Sequence, residues 1–429
     1  MFFQNDDGTF DQQKTKILIN DRKFEDISST IFDADNDGDN DIYIVSGGNE
    51  FDLSSPYLQD RLYVNDGKGN FTKSKNLPKM LSSGSRAIPF DFDNDGDLDL
   101  FVGGRLMPAN YPYPANSYLL ENVSSGGEPK FKNVSSVVES SLQKIGLVTD
   151  ARCFDYDKDG WKDLFVVGEW MNIKAFKNKK GKFVDVTDDL GLEDTTGWWF
   201  SINNADFDND GDQDLILGNL GLNYKYKAKD EETFDIYFND FDGNKRNDIV
   251  LSYYNEGKKY PVRGRQCSSD QIPSIKEKFK NYDLFSKAEL NDIYDKKKLE
   301  KSIHYQVKSF ASVYLEYKDG KFTKHILPNE AQIAPINKTI IRDFDKDGNL
   351  DVLAAGNLYA SEVETPRADA GIGLFLKGNS KGTLQPINAQ VSGLHMRGDV
   401  KDFEIINIKN QEYILSAKNN DFLEFIKIN

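Results

Sequence analysis

Asp91-Phe92-Asp93-Asn94-Asp95-Gly96-Asp97-Leu98-Asp99 places five carboxylates within nine residues, and Leu100-Phe101-Val102-Gly103 follows at once. The same nine-residue pattern opens at residues 33, 155, 206, 240 and 343. Six copies in a chain of 429 residues mean a repeated supersecondary unit. Upstream of each copy lies a short apolar run such as 86–90. Downstream come β-rich runs at 42–47, 100–103, 164–168 and 215–218, each ending near glycine. Runs of that length bounded by turn residues read as strands. A strand, a Gly or Asn turn and another strand then follow at 62–71, 175–183 and 314–322. Each repeat is therefore expected to hold four antiparallel strands, with the acidic loop joining the first to the second. Sheets of that kind arranged radially make a β-propeller.

The blade count extends to the termini. A pair of strands at 401–407 and 412–416 lacks the acidic loop, and a third at 422–428 lacks an outer partner. Residues 2–10 resemble 63–71 and are expected to supply it. The fold expected from the sequence is all-β: one domain over 1–429, a seven-bladed β-propeller of four-stranded antiparallel blades closed by the N-terminal hairpin. At about 61 residues per blade it exceeds the roughly 40–45 of compact propeller repeats, so long loops must hold the surplus. The largest lies where successive acidic loops start 103 residues apart, at Asp240 and Asp343. Residues 255–310 are expected to be a helical insertion within blade five, lying over the face away from the acidic loops. Ser274 with Glu277 and Ser286 with Glu289 match capping boxes, with Phe285 and Leu290 as a hydrophobic staple, which predicts helices over 275–281 and 287–295.

Alternating carboxylates about a tight glycine turn suit a hard cation, and calcium takes six to eight oxygens in flexible geometry. Magnesium demands a stricter octahedron. The expected ligand sets are Asp33, Asp35, Asp37, Asp39 and Asp41; Asp91, Asp93, Asp95, Asp97 and Asp99; Asp155, Asp157, Asp159, Trp161 and Asp163; and Asp206, Asp208, Asp210, Asp212 and Asp214. A weaker set is Asp240, Asp242, Asn244, Arg246 and Asp248, and the last is Asp343, Asp345, Asp347, Asn349 and Asp351. Trp161 and Arg246 are tolerable because the seventh position would give its backbone carbonyl. An EF-hand needs Glu at position 12, where this chain has Ile44, Val102, Val166, Leu217, Leu251 and Ala354. The loops hold more than a third of the 70 acidic residues, and so many close carboxylates raise each other's pKa without a counter-ion. About six structural calcium ions would cancel most of the formal charge of −16.

That charge repels a phosphate backbone and argues against nucleic acid. No apolar window is long enough for a transmembrane helix. His304, His325 and His395 are too scattered for a zinc motif, and Cys153 and Cys267 are too few for a disulfide framework. Residues 1–7 lack the features of a signal peptide. The chain is read either as cytoplasmic or as a piece of a secreted protein, and calcium favours the latter.

The acidic repeats followed by apolar strands resemble the VCBS/FG-GAP repeat family, the integrin-α-like propellers, over nearly the whole chain. Residues 103–108 with 111–114, 168–171 and 218–223 further resemble large secreted VCBS-repeat proteins of Bacteroidota-type bacteria. The resemblance implies a calcium-stabilised propeller on the cell surface or outer membrane, used for adhesion, recognition or assembly. The chain lacks literal Phe-Gly and Gly-Ala-Pro tripeptides, so the comparison with integrins concerns fold and metal rather than partners.

Blade topology places the acidic loops on one face and the connections after each second strand on the other. Binding is normally built on such loops. The ligand candidates are Arg105, Tyr111, Tyr113, Glu169, Trp170, Asn219, Asn223, Arg263, Arg265, Asn357 and Arg367, for a protein partner or cell-surface glycan. Trp198 and Trp199 are read as packing. The alternative is a glycan-active hydrolase or lyase, but Glu169 has no second carboxylate by spacing, and the chain has no nucleophile-elbow or phosphate-loop motif.

Overall fold

The computed structural model describes residues 2–5, 7–12, 16–361 and 365–429. The architecture is all-β and antiparallel, consistent with a β-propeller. Each acidic loop joins the first and second strands of a sheet, as the repeat pattern requires. The first sheet orders Glu25–Phe32, Asp41–Gly47, Arg61–Asn65 and Phe71–Lys73. The second orders Ser83–Phe90, Asp99–Leu106, Tyr118–Asn122 and Phe131–Asn133. The third orders Leu147–Phe154, Asp163–Met171, Lys174–Asn178 and Phe183–Asp185, with Gly197–Trp198 added beside its second strand.

The fourth sheet corrects the expected blade order. Its first two strands, Ser201–Ala205 and Asp214–Gly218, are completed by Val313–Lys318 and Lys321–Ile326, with Leu215 opposite Leu315. Residues 219–312 are one long connection inside this sheet. They contain a sheet of their own, ordered Lys258–Pro261, Asp248–Asn255, Phe234–Asn239 and Ile303–Val307, which carries the Asp240 loop. The insertion thus starts earlier than 255 and belongs to blade four, not blade five. The hairpin at Tyr314 pairs across the inserted segment because Asp214–Gly218 has a free edge there, whereas both edges of Asp248–Asn255 are already taken.

Two further sheets follow: Lys338–Arg342, Asp351–Ala355, Leu374–Lys377 and Gln385–Ile387, then Val400–Ile408, Gln411–Lys418 and Glu424–Lys427. The second strands are apolar on both faces because sheets stack on either side of them. Phe32, Tyr43 and Leu62 of sheet one interleave with Leu100, Val102 and Leu120 of sheet two. Phe101 and Leu119 meet Leu164 and Val166, and Phe165 and Val167 meet Leu215 and Leu217. Sheet four then packs directly on the 338–387 sheet, through Ile216 and Tyr314 against Val352 and Leu376. Leu353 and Ala355 meet Val400 and Phe403 of the last sheet. The expected seven successive blades are not what this order gives: the inserted sheet stands outside the stack.

Close approach makes one glycine decisive. A Cβ on Gly218 would lie 2.0 Å from the carbonyl oxygen of Ile336, two residues before the sheet that follows sheet four. Overpacking of this kind costs about 1–3 kcal/mol, and backbone cannot swing aside as a side chain can. Gly218→Ala is expected to lower stability toward the upper end of that range in chemical denaturation. An unchanged midpoint would contradict the direct packing of these two sheets.

The N-terminal strands Phe2–Gln4 and Phe10–Gln12 form a separate hairpin instead of extending the last sheet. It touches both the first sheet and the last. Gln4 Nε2 donates to the Asn407 carbonyl at 2.8 Å, Phe10 lies 5.9 Å from Phe425, and Phe3 sits against Gly69 of sheet one.

The insertion carries helices at Arg265–Gln271, Ser274–Lys278, Tyr282–Ser286, Leu290–Ile293 and Lys296–Glu300. Ser274 is the first helical residue and not a cap, and Ser286 ends a helix instead of starting one. The capping box that forms is Glu289 with Asp292, whose carboxylate accepts the Glu289 N–H at 2.9 Å. Phe285 and Leu290 are both buried, with Ile275 and Ile293, against Tyr237, Phe241 and Val250. The helices therefore cover one face of the inserted sheet. Its other face, with Phe234, Ile236 and Val307, packs on Leu147 and Trp170 of the stack and on Leu220 at the start of the insertion. No helix among the described residues is long and apolar enough to cross a membrane.

Candidate metal centres and the opposite mouth

The acidic loops share one hydrogen-bond plan. The first carboxylate accepts the N–H of the sixth residue: Gly38 to Asp33 at 3.0 Å, Gly96 to Asp91 at 3.1 Å, Gly160 to Asp155 at 2.8 Å, Gly211 to Asp206 and Gly348 to Asp343 at 2.9 Å. That curl needs a left-handed residue at the sixth position, where glycine costs no Cβ clash. The Asp240 loop keeps the curl with Lys245 there, at φ 68°, and its N–H reaches Asp240 at 2.8 Å.

The ninth carboxylate does different work. It is buried in every copy. One oxygen accepts the N–H of the loop's second residue, as in Phe92 to Asp99 at 3.0 Å and Tyr156 to Asp163 at 3.2 Å. In five copies the other oxygen accepts an N–H of the neighbouring third strand: Asn65 to Asp41, Asn122 to Asp99, Asn178 to Asp163, Tyr317 to Asp214 and Gly378 to Asp351, at 2.7–2.9 Å. It is a staple between loop and sheet.

Carboxylates within a loop also converge, in three copies with the ninth among them. Oxygens of Asp33, Asp35 and Asp37 lie within 4.8 Å of one another, as do those of Asp91, Asp93 and Asp99, of Asp155, Asp157 and Asp163, of Asp206, Asp208 and Asp210, and of Asp240, Asp242 and Asp248. Asp35, only 6% exposed, has no hydrogen-bond partner on either oxygen. Buried oxygens of Asp39, Asp91, Asp93, Asp97, Asp157 and Asp206 are likewise unpartnered. Burial, then the neighbouring Asp41 charge, pushes Asp35 up to about 6; burial and Asp95 push Asp97 to about 7. Burial first, with the Asp93 and Asp97 charges, outweighs two backbone hydrogen bonds and raises Asp99 to about 8. Unpartnered, crowded, oxygen-only donors fit a hard divalent cation of calcium's coordination number.

Two loops differ. Lys177 Nζ lies among the carboxylates of Asp157 and Asp159, 3.2 Å from the latter, and Lys377 Nζ among those of Asp345 and Asp347, 2.9 Å from the latter. At the Asp240 loop, Lys298 Nζ donates to the Asp240 and Phe241 carbonyls at 3.2 and 2.9 Å.

At the opposite end, starts of first strands and ends of second strands surround a cavity of about 650 Å³. Ser28, Ser83, Arg86, Thr149, Lys401 and Asp402 line it from the first strands, Phe200 and Asn337 from just before two of them, Arg105 from the end of a second strand and Asn49 from a connection. Arg86 bridges Asp402 at 3.5 Å and Asp150 at 3.7 Å, and Lys338 reaches Asp402 at 3.0 Å. These residues belong to no motif, and only aligning the first strands of the repeats could have singled them out.

The structure gathers four of the sequence candidates. Arg105 Nη2 pairs with Glu169 Oε1 at 2.5 Å, Tyr111 donates to Glu169 Oε2 at 3.0 Å, and Trp170 Nε1 donates to the Tyr111 oxygen at 2.5 Å. Trp170 also stacks on Phe234, 5.7 Å away, so this network holds the insertion to the stack. Tyr113 meets the insertion edge-on at Phe238. Asn219, fully buried, donates to the Ser309 and Ala311 carbonyls and accepts from Trp198. Asn223 donates to the Ile333 carbonyl, and Arg265, buried at a helix start, donates to the Phe279 carbonyl. Asn357, also buried, donates to the Gly371 and Gly398 carbonyls. Arg367 lies over Tyr359, in a loop whose residues 362–364 fall outside the described residues. Arg263 sits in the turn before the first inserted helix. Trp199 is core, and Trp198 packs between Trp170 and Phe310.

No curated protein matches this chain. Solved structures similar to it include one described as BBS1N in complex with ARL6DN, soaked with lead, at 10% identity and TM-score 0.33, covering 95% of this chain and 93% of that one. Another is the biofilm matrix protein Bap1 of V. cholerae, at 11% identity and TM-score 0.33, covering 91% of this chain and 74% of that one. The profile of the FG-GAP-like repeat matches residues 33–102 and 155–217. Those regions begin and end on the same elements, acidic loop to second strand, and contain the first four acidic loops. Over those two regions the chain matches the FG-GAP-like repeat.

Proposed function

We propose that the chain is a non-enzymatic, calcium-stabilised binding or adhesion module of the cell surface, which takes a protein or glycan ligand at the mouth opposite its acidic loops. The observation that supports this most is the division of labour between the two ends. Carboxylates lacking partners collect at one end, and a polar cavity crossed by Arg86 and Asp402 opens at the other. Six sheets form the ring in this reading, with the N-terminal hairpin closing it and the inserted sheet roofing part of the mouth. Rigid rings that carry variable connections on one face are suited to recognition, and calcium stabilisation at the other end supports a location outside the cell. A glycan-active enzyme is disfavoured because both Glu169 oxygens are occupied by Arg105 and Tyr111.

The test is retention on a panel of polysaccharides and matrix proteins in calcium, with turnover followed beside it. Asn49→Ala with Lys401→Ala is expected to reduce retention at least tenfold without moving the melting temperature. Turnover abolished by Glu169→Gln would replace the binding reading with the enzymatic one.

A further inference from the structure

We infer that two of the acidic loops, those opening at Asp155 and Asp343, carry a built-in lysine in place of a divalent cation. The inference rests on the calcium reading of the other loops and goes beyond it by dividing them into two kinds.

The division follows from one equivalent position. In five sheets the ninth carboxylate fixes the register of the third strand by accepting one of its backbone N–H groups. The residue just before that N–H is Val64, Glu121, Lys177, Glu316 and Lys377 in turn. Lys177 and Lys377 each make ion pairs with the third and fifth carboxylates of their own loop. The same two loops have lost the carboxylate at the seventh position, to Trp161 and Asn349, whereas the others keep Asp39, Asp97 and Asp212. Where a cation is supplied by the chain, one anion fewer is present to be neutralised.

Calcium binds oxygen at about 2.3–2.6 Å. An ammonium 2.9–3.2 Å from the fifth carboxylate lies in the shell a metal ion would fill, and two cations cannot share it. The unpartnered oxygens are most numerous in the first two loops, while the loop at Asp206 keeps one, on Asp206 itself. Loop one has three (both of Asp35 and one of Asp39) and loop two has three, on Asp91, Asp93 and Asp97, whereas none belongs to residues 343–351. Residues 155–163 keep one, on Asp157. The loops at Asp33, Asp91 and Asp206 are the metal sites, the last with Lys158 paired only to its seventh carboxylate, Asp212, at 2.7 Å. The two lysine loops are held closed by ion pairs to side chains of the chain itself, which no chelator removes.

The experiment is calcium uptake by the full chain, measured by equilibrium dialysis with atomic emission, beside the melting temperature. Lys177→Met with Lys377→Met is expected to take up two more ions per chain than wild type and to lose stability in chelator. Glu121→Lys is expected to take up one fewer and to lose part of its calcium-dependent rise in melting temperature. The second variant carries the test if the first does not fold. Equal uptake by wild type and each folded variant overturns the lysine assignment while leaving calcium binding intact. No uptake by any of the proteins retires the calcium reading itself, and the assignment with it.

Discussion

Chelating calcium is expected to lower the melting temperature by about 10 °C at neutral pH, and millimolar calcium is expected to restore it. Extracellular sites bind with dissociation constants near ~10⁻⁴ M. At a few millimolar calcium each site then adds roughly 2 kcal/mol by mass action. Three such sites contribute about 6–7 kcal/mol, and in a chain of this length each kcal/mol moves the transition by only about 1–2 °C. The metal-free protein should also respond to pH in an unusual direction. Burial, first, and neighbouring carboxylates raise Asp35 to about 6, Asp97 to about 7 and Asp99 to about 8, and burial raises Asp163 to about 7. A carboxylate raised in the folded state binds its proton there while the unfolded chain has already released it. Stability is therefore lost as pH climbs from the unfolded value near 4 to the folded value. In chelator the melting temperature should rise on acidification from pH 8 to 5.5, and calcium should flatten that dependence. Identical pH profiles with and without calcium would sink the proposal that these carboxylates hold an ion.

The acidic loops were legible because their information is local. Carboxylates at alternate positions and a glycine at the sixth fix the curl, and the apolar run after them fixes a strand buried on both faces. Nesting was not legible, because strand pairing is a contact between distant residues. Nothing near Asp240 marks its sheet as lying inside another, and nothing near Tyr314 names Asp214–Gly218 as its partner. The helix signals were displaced for a related reason. Ser286 and Glu289 have capping-box spacing, yet burial of Phe285, Leu290 and Ile293 on the inserted sheet set the turns, and Glu289 with Asp292 became the box. Tertiary packing outweighs cap chemistry worth about 1 kcal/mol.

The candidate binding residues show the same limit. Arg105, Tyr111, Glu169 and Trp170 have the chemistry of recognition, and the structure does bring them together. They satisfy one another, and their polar groups anchor the insertion. Exposed residues at the mouth, such as Asn49 and Lys401, carry no motif because their position comes from the repeat of sheets and not from their neighbours in sequence.

Asp99→Ala is expected to destabilise the chain by about 3–5 kcal/mol even without calcium, far more than loss of a carboxylate from the loop rim. Asp99 is 1% exposed, and its two oxygens accept the N–H groups of Phe92 at 3.0 Å and Asn122 at 2.7 Å. Truncation leaves two buried donors unsatisfied, at about 1–3 kcal/mol each. The damage spreads because the Asn122 side chain donates to the carbonyls of Leu98 and Ala34, tying this loop to that of sheet one. Asp99→Asn keeps one acceptor and should cost about half as much, since its amide nitrogen cannot accept the second N–H. Asp95 makes the contrast. It is exposed, and its carboxylate accepts the Asp97 N–H at 3.1 Å. Without calcium, Asp95→Ala should fall within about 0.5 kcal/mol of wild type, because its loss also removes a charge that raises Asp97. With calcium, it should lose the stabilisation of one site. Urea denaturation of the three variants in chelator and in calcium separates the two roles. Equal losses for Asp99→Ala and Asp95→Ala in chelator would mean that the ninth carboxylate is only another metal ligand and not the staple that holds loop to sheet.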